Sequence, residues 1–180
     1  MKVAYQGLPG AFGHQAALAF LPGHEPVAEP SFAAVIAAVV EGRAERGVLP
    51  VENNEAGPVA EARALLAAAP VDVVDERILP IRMHLLGLPG ARLEAITTAV
   101  SHPVALRQCA RNLDRLGLAR EEAANTAIAA SELRDPARAV LGSAAAAEAY
   151  GLVILLADVH DRADNATRFA ILAARGAQDT

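Results

Sequence analysis

The alternation of short apolar segments with helix-like segments constrains the fold of this chain more than any other feature of its sequence. Runs such as Val3-Ala4-Tyr5 have the length of buried strands, whereas the stretch after Ser31 has the spacing of an amphipathic helix with a serine N-cap. Such alternation predicts an α/β fold with a largely parallel or mixed sheet. We predict strands at 3–5, 47–51, 71–79, 81–86, 95–100, 139–141, 152–157 and 167–173. We predict helices at 13–20, 31–43, 58–69, 101–116 and 142–150, with a further helix capped by Asn125 or Thr126.

Two extended segments, at 71–79 and 158–164, have the character of crossovers between two parts of the chain. We therefore expect one lobe to be built from both ends of the sequence and the other from its middle. The predicted bounds are 1–72 plus 163–180 for lobe 1 and 73–162 for lobe 2.

Charge and composition exclude several classes of function. The net charge is −5 and no basic cluster is present, which argues against nucleic acid or an anionic membrane as a partner. Lys2 is the only lysine, so a Schiff-base mechanism has almost no candidate residue. The single cysteine, Cys109, and the absence of an apolar leader after Met1 lead us to expect a cytoplasmic protein.

Four stretches combine the end of a strand with the start of a helix, where backbone N–H groups favour anions. They are 7–14, 51–58, 100–103 and 141–143. The glycine-rich loop at 7–13 matches neither a P-loop nor a dinucleotide fingerprint, and a tight turn is an equal interpretation. Glu52-Asn53-Asn54 has the alternative of a helix-capping turn.

Two further motifs have structural alternatives. Ser101-His102-Pro103 lacks the flanking glycines of a nucleophile elbow, so a helix cap with proline in the first turn is favoured over a serine–histidine pair. In the segment 165–169, strand alternation places Thr167 on one face and Arg168 on the other, and a simple edge strand would also fit. The histidines and acids show no metal-ligand spacing, so we expect no metal site.

Taken in order, six segments resemble the sequence blocks of the prephenate dehydratase family, across about residues 3 to 172. They are 5–17 (YQGLPGAFGHQAA), 49–59 (LPVENNEAGPV), 101–109 (SHPVALRQC), 125–130 (NTAIAA), 139–152 (AVLGSAAAAEAYGL) and 165–169 (NATRF). The resemblance implies two α/β lobes with a cleft between them, similar to type II periplasmic binding proteins. It also implies a homodimer that converts prephenate to phenylpyruvate, water and CO₂ without a cofactor.

The family's functional residues carry over by position. Thr167 matches the threonine regarded as central to catalysis, and we expect it to act as the donor to the leaving hydroxyl. The other catalytic positions implied are Glu52, Asn53, Ser101 and Gln108. The implied substrate-binding positions are Ala11, Asn54, Arg168 and Phe169. Of these, Arg168 would bind a carboxylate of the substrate or keep the site in shape. We expect Phe169 to support the site by packing.

The chain departs from the family pattern at several positions. Ala11 stands where threonine is usual, Gly13 and Asn54 where serine is usual, and Leu8 where proline is usual. No segment resembles the regulatory ACT domain that commonly follows the catalytic domain, so we expect none in this chain. Two alternatives stay open: a prephenate decarboxylase, and a cytoplasmic module that binds a small anion without turnover.

Overall fold

The computed structural model describes residues 1–176, which form two compact units. Unit 1 contains Met1–Leu8, Phe12–Pro80 and the segment that begins at Asn165, whereas unit 2 contains Pro9–Ala11 and Ile81–Asp164. The chain leaves unit 1 after Pro80, not after the predicted residue 72, because the strand that begins at Val71 continues to Pro80 within the same sheet. It returns after Asp164, where residue 162 was predicted, and the predicted residues 177–180 lie outside the described part of the chain.

Strands and helices alternate along the chain, as the sequence pattern predicts. The strands are β1 (Lys2–Gln6), β2 (Glu25–Glu29), β3 (Arg46–Asn53), β4 (Gly57–Pro58), β5 (Val71–Pro80), β6 (His84–Gly87), β7 (Thr98–Ser101), β8 (Ala119–Glu122), β9 (Arg138–Gly142), β10 (Val153–Leu156) and β11 (Ala166–Ala174). The helices are α1 (Phe12–Phe20), α2 (Phe32–Val40), α3 (Ala60–Ala68), α4 (Pro103–Gln108), α5 (Ala110–Arg115), α6 (Thr126–Glu132) and α7 (Ala144–Tyr150). A short 3₁₀ turn occupies Leu93–Ala95.

Unit 1 is a six-stranded mixed sheet in the order β2-β1-β3-β11-β5, with β4 paired to β3. Strand β1 is parallel to β2 and β3, whereas β11 is antiparallel to both of its neighbours. One face of this sheet packs on α2 and α3 around a core that includes Val35, Leu49 and Leu172. The last strand of the chain therefore lies inside the sheet made by the first part of the chain, and it brings its own residues beside the end of β3.

Unit 2 is a five-stranded mixed sheet in the order β10-β6-β9-β7-β8. Strand β7 is parallel to β8 and β9, and β6 is antiparallel to β9 and β10. Its core joins Leu86, Val100 and Val140 to the buried faces of α6 and α7. The α/β class with two lobes is confirmed, and both sheets are mixed.

Several helix starts follow from their capping residues. Ser31 caps α2 as predicted, since its Oγ accepts from the Ala34 N–H at 3.1 Å. Asn125 is the cap of α6, with Oδ1 accepting from the Ile128 N–H at 2.7 Å. The predicted helix at 58–69 begins later, at Ala60, because Pro58 pairs with Glu52 in the short strand β4.

The structure also differs from the predicted elements in three places. The predicted helix at 101–116 is divided into α4 and α5 at Cys109, whose φ of −115° and ψ of 7° interrupt the helical backbone. Residues 81–83 lie outside a strand, and β6 starts at His84. Strands β2 and β8 were missed because both are sheet edges with little apolar sequence, and every residue of β8 is exposed.

No helix within residues 1–176 has the length and apolar character needed to cross a membrane.

Candidate active site

Thr167 and Asn53 face each other across the strand pair β11 and β3. In this antiparallel register Thr167 lies opposite Asn53, and Arg168 lies opposite Glu52. Opposed residues project from the same side of a sheet and neighbours along a strand project from opposite sides. Thr167 and Asn53 therefore share one face, while Arg168 and Glu52 share the other.

The carboxamide of Asn53 has a fixed orientation. Its Oδ1 accepts from the backbone N–H groups of Glu55 at 3.0 Å and Ala56 at 2.8 Å. Because the oxygen is used in this turn, the Nδ2 group is directed to the start of β11. There it donates to Thr167 Oγ1 at 2.9 Å, and it also lies 2.9 Å from Asn165 Oδ1 and 3.1 Å from the Ala166 carbonyl.

This geometry decides the direction of the Thr167 hydroxyl bond. Asn53 Nδ2 can only donate, so Thr167 Oγ1 is the acceptor and its own proton is not used in this contact. Among the described residues, no acceptor for that proton is present. Thr167 is 8% exposed, so the hydroxyl sits in a largely dry environment that strengthens its interactions. The arrangement holds a hydroxyl proton ready for donation to another group.

Arg168 and Glu52 form an ion-pair network on the opposite face of the strand pair. Glu52 Oε2 lies 3.0 Å from Arg63 Nη2 and 3.8 Å from Arg168 Nη1, and Arg168 Nη1 lies 3.7 Å from Glu76 Oε2. Arg63 Nε also donates to the Val51 carbonyl at 3.0 Å. The structure therefore does not bring these two predicted residues together with Thr167, and it shows them tying β3, β11, β5 and α3 to one another.

Two predicted substrate-binding residues of unit 1 have structural contacts. Phe169 is 2% exposed and packs edge-on against Phe20, with ring centroids 6.2 Å apart. Asn54 Oδ1 accepts from the Ala166 N–H at 3.0 Å, and the Asn54 N–H donates to the Ala166 carbonyl at 3.0 Å. Both residues fix the start of β11, on which Thr167 stands.

The remaining predicted residues, Ala11, Ser101 and Gln108, belong to unit 2. Ser101 is fully buried, and its Oγ donates to the Leu141 carbonyl at 3.2 Å. Since a hydroxyl has one proton, the 3.1 Å contact between Ser101 Oγ and Thr126 Oγ1 is a donation from Thr126. Ser101 thus joins β7, β9 and α6, and its proton is already used.

Gln108 and His102 take part in the local structure of α4. Gln108 is 8% exposed, and its backbone carbonyl accepts from the Asp161 N–H at 2.8 Å. The N-cap of α4 is His102, whose Nδ1 accepts from the Val104 N–H at 3.2 Å, and Pro103 follows in the first turn. The structure therefore has a helix cap at Ser101-His102-Pro103, which is the interpretation that the sequence favoured.

The glycine-rich loop packs on the first turn of α7. Ser143 Oγ donates to the Gly10 carbonyl at 2.7 Å and accepts from the Ala146 N–H at 3.0 Å. A Cβ atom at Gly10 would lie 2.5 Å from Ala146 Cα, and Gly10 has a φ of +86°. Only glycine fits at this position, which immediately precedes Ala11. At Gly13 a Cβ would lie 3.1 Å from the Gln6 carbonyl, so the serine usual in the family would be tight in this chain.

A pair of buried histidines joins the start and the end of the long segment of unit 2. His84 Nδ1 accepts from the Asp158 N–H at 3.1 Å, and His160 Nδ1 accepts from the Met83 N–H at 3.3 Å. Burial lowers the pKa of His84, and the nearby Asp158 carboxylate partly opposes that shift. The Nδ1 atom of each ring is therefore used as an acceptor, and any N–H that either ring donates must come from Nε2.

Three polar residues with defined contacts at these places were not predicted as site residues. Asn165 binds Asn53, Thr126 binds Ser101, and Ser143 binds the glycine-rich loop. All three lie inside the sequence blocks that resemble the family, but only the strand register and helix packing reveal what they touch. Within residues 1–176 there is no group of three His, Cys, Asp or Glu side chains that could hold a metal ion.

The two units, each a mixed sheet packed with helices, define the chain as a two-lobed α/β protein. The family model described as prephenate dehydratase matches residues 3–177, and the chain belongs to that family.

Curated relatives agree with this assignment. The chain is 43% identical to arogenate dehydratase 1 of Petunia hybrida over 180 residues. This alignment covers 96% of this chain and 42% of the relative. The chain is 38% identical over 176 residues to arogenate dehydratase/prephenate dehydratase 1, chloroplastic, of Arabidopsis thaliana, covering 96% and 45%. The chain thus spans less than half the length of these relatives.

Two solved structures are similar over the whole chain. GqqA, described as a novel type of quorum quenching acylase, has a TM-score of 0.92 at 37% identity, with 66% of its own chain covered. The prephenate dehydratase of Arthrobacter aurescens in complex with L-Phe has a TM-score of 0.87 at 26% identity, with 63% covered.

Proposed function

We propose that this chain is the catalytic part of a prephenate dehydratase, which converts prephenate to phenylpyruvate, water and CO₂. The observation that carries the proposal is the donation from Asn53 Nδ2 to Thr167 Oγ1, which leaves the Thr167 proton for another acceptor. Membership of the prephenate dehydratase family supplies the reaction class. The chain covers less than half of its curated relatives, so the activity of the whole protein is part of the proposal.

The reaction requires little chemistry from the protein. The bond between the ring and its carboxylate breaks, its electron pair completes the aromatic ring, and the ring hydroxyl leaves on the opposite carbon. Aromatisation drives the reaction, and neither an oxidant nor a covalent intermediate is needed for the balance. The obstacle is the hydroxyl, because hydroxide is a poor leaving group unless a donor supplies a proton or hydrogen bond to the departing oxygen.

In our proposal Thr167 is that donor. Its hydroxyl is only weakly acidic, so proton transfer must accompany cleavage of the carbon–oxygen bond. A hydrogen bond accepted from Asn53 Nδ2 stabilises negative charge that develops on Oγ1, which makes the Thr167 proton easier to give. The Thr167 proton leaves with the hydroxyl as water, and Oγ1 then takes a proton from solvent water, so that one solvent proton is consumed in each turnover.

Arg168 and Glu52 have supporting roles in this proposal. Their mutual ion pair and their position on the face opposite Thr167 favour the second role implied for Arg168, that of keeping the site in shape. Asn54 and Phe169 support the start of β11 in the same way. In unit 2, Ser101 links β7 and β9 to α6. Gln108 stays a proposed catalytic residue, and Ala11 stays a proposed substrate-binding residue.

Arogenate is the substrate to compare with prephenate. The names of the plant relatives assign arogenate to those proteins, some of them together with prephenate. Both substrates lose the same ring hydroxyl and carboxylate, so the proposed role of Thr167 is identical for both. They differ only in the side chain, where arogenate carries an ammonium group in place of the ketone.

A second candidate activity is hydrolysis of N-acyl-homoserine lactones. It is favoured by the similarity to the acylase GqqA and to a Komagataeibacter europaeus relative named bifunctional N-acyl-homoserine lactone acylase/prephenate dehydratase. Hydrolysis of an amide requires an activated nucleophile. Within the described residues, Ser101 donates its proton to a carbonyl and the Nδ1 atoms of His84, His102 and His160 accept from backbone N–H groups. These contacts favour the dehydratase, and release of homoserine lactone tests the alternative.

The assembly and location of the protein are also proposed. We expect a homodimer located in the cytoplasm, where the thiol of the buried Cys109 stays reduced. Light scattering coupled to size-exclusion chromatography gives the mass of the particle. A mass of one chain at the concentrations used for the assay would contradict the dimer.

The experiment that tests the proposed function compares Thr167→Val with the parent protein. Valine keeps the size and the β-branched shape but removes the hydroxyl, and loss of one such donor lowers turnover by about 10²–10³-fold. Thr97→Val is the matched control, because the Thr97 hydroxyl donates to the Ala137 carbonyl at an exposed position in unit 2. Formation of phenylpyruvate at equal rates by the parent and by Thr167→Val would contradict the role of Thr167.

A further inference from the structure

Asn165 is a buried carboxamide that the proposed mechanism does not yet use. It is 2% exposed and immediately precedes β11. Its Oδ1 accepts from Asn53 Nδ2 at 2.9 Å, but its own Nδ2 is buried without a hydrogen-bond partner among the described residues. A buried donor without a partner is unfavourable, so a carboxamide kept there indicates a demand other than stability.

The hydrogen-bond count at Asn53 shows what this demand is. Asn53 Nδ2 has two protons and three oxygen atoms within reach, which belong to Thr167, Asn165 and Ala166. Thr167 requires one of the protons. The second proton is held by Asn165 Oδ1 at 2.9 Å and more weakly by the Ala166 carbonyl at 3.1 Å. Without the Asn165 oxygen, the second proton would be left with the longer contact to the Ala166 carbonyl alone.

We propose that Asn165 is a positioning residue, whose carbonyl oxygen holds Asn53 Nδ2 in the plane that donates to Thr167 Oγ1. This inference rests on the proposed function, because it assigns Asn165 to the donor arrangement of Thr167. Asn53 is then fixed at three points: its oxygen by the Glu55 and Ala56 N–H groups, and its nitrogen by Asn165. The Thr167 proton keeps its direction because its partner cannot rotate.

Steady-state kinetics of Asn165→Ala test the positioning role. Since misplacement of a catalytic group by about 1 Å can lower the rate roughly 10²-fold, we expect kcat to fall by about that factor. KM should stay within about threefold, because Asn165 acts on the proton donor and not on substrate affinity. Ser31→Ala is the control for lost stability alone, since it removes the cap of α2 in the same unit. A kcat of Asn165→Ala equal to that of Ser31→Ala would overturn the proposal.

Asn165→Asp separates a positioning role from a general structural one. The change keeps an acceptor for Asn53 Nδ2, but it puts a carboxylate where a neutral amide was buried. Burial raises the pKa of the new carboxyl, so kcat should recover as the pH falls and the group becomes neutral. Asn165→Ala should show no such recovery. A pH profile of Asn165→Asp parallel to that of Asn165→Ala would overturn the proposal.

Nuclear magnetic resonance gives a test that does not depend on turnover. The side-chain amide protons of Asn53 are assigned by their loss in Asn53→Asp, and their exchange with solvent is measured in the parent protein and in Asn165→Ala. We expect slow exchange in the parent and loss of that protection in Asn165→Ala. If the parent protein consumes neither prephenate nor arogenate, the proposed function is wrong. The exchange rates still test whether Asn165 holds the side-chain amide of Asn53. Unchanged protection in Asn165→Ala would contradict the inference.

Discussion

Replacing Asn53 by aspartate reverses the polarity of the Thr167 contact without changing the size of the side chain. One carboxylate oxygen can keep the bonds from the Glu55 and Ala56 N–H groups, which are 3.0 and 2.8 Å long with asparagine. The other oxygen would take the place of Nδ2, close to Thr167 Oγ1 and to the oxygens of Asn165 and Ala166. The Thr167 hydroxyl must then donate to the carboxylate, and its proton is lost to the reaction.

The size of the effect follows from these contacts. Loss of one donor to developing charge lowers turnover by about 10²–10³-fold, which corresponds to about 2.7–4 kcal/mol in the activation barrier. The carboxylate also faces two other acceptors, and we expect a loss of about 1–3 kcal/mol in the free energy of unfolding. Burial and these acceptors raise the pKa of the new carboxyl, so part of the activity should return at lower pH.

The assay for Asn53→Asp is steady-state formation of phenylpyruvate from prephenate, followed by the enol absorbance in alkali, with urea unfolding measured in parallel. Asn125→Asp is the matched control, because the Oδ1 atom of Asn125 caps α6 and aspartate caps a helix equally well. We expect the control to keep the parent kcat. A kcat of Asn53→Asp within about threefold of the parent, in a folded protein, would refute the direction that we assign to the Asn53–Thr167 bond.

Three further predictions concern the support of the site. Gly10→Ala should abolish folding or lower the unfolding temperature strongly, because its Cβ would lie 2.5 Å from Ala146 Cα; Gly23→Ala, with a similar φ but open space, should have a smaller effect on thermal unfolding. The pKa of His84 is lowered from 6.5 by burial, so the unfolded state takes up the proton first as the pH falls below 6.5. The free energy of unfolding should therefore decrease as the pH falls below 6.5, and it should decrease less steeply in His84→Asn than in the parent. Urea unfolding at a series of pH values measures this difference. Arg168→Met should change KM for prephenate by less than about threefold, because Arg168 pairs with side chains of the protein. If Arg168 instead binds a carboxylate of the substrate, its removal would raise KM far more.

The sequence allowed the larger part of the fold to be predicted, because the buried strands are apolar and their helices carry visible caps. Ser31 and Asn125 illustrate this, since both cap the helix that follows them. The edge strands β2 and β8 could not be found in the same way, because an edge strand needs no apolar face. The break at Cys109 also left no signal, since neither proline nor glycine marks it.

The site was harder to predict than the fold, because its contacts join distant parts of the chain. Asn53 and Thr167 were both named from the family resemblance, but only the strand register shows that they are bonded. The same register places Glu52 and Arg168 on the other face. Asn165 was missed as a site residue because its contact with Asn53 depends on side-chain orientation, which sequence spacing does not contain.

The most direct test of the central claim is the fate of prephenate with the purified chain at neutral pH, beside a reaction without protein that measures spontaneous breakdown. Chromatography with mass detection identifies the product, and arogenate is tested in parallel. Our account predicts phenylpyruvate from prephenate far above the spontaneous rate, with Thr167→Val slower by about 10²–10³-fold. A non-aromatic product with release of CO₂, or breakdown of both substrates no faster than without protein, would contradict it.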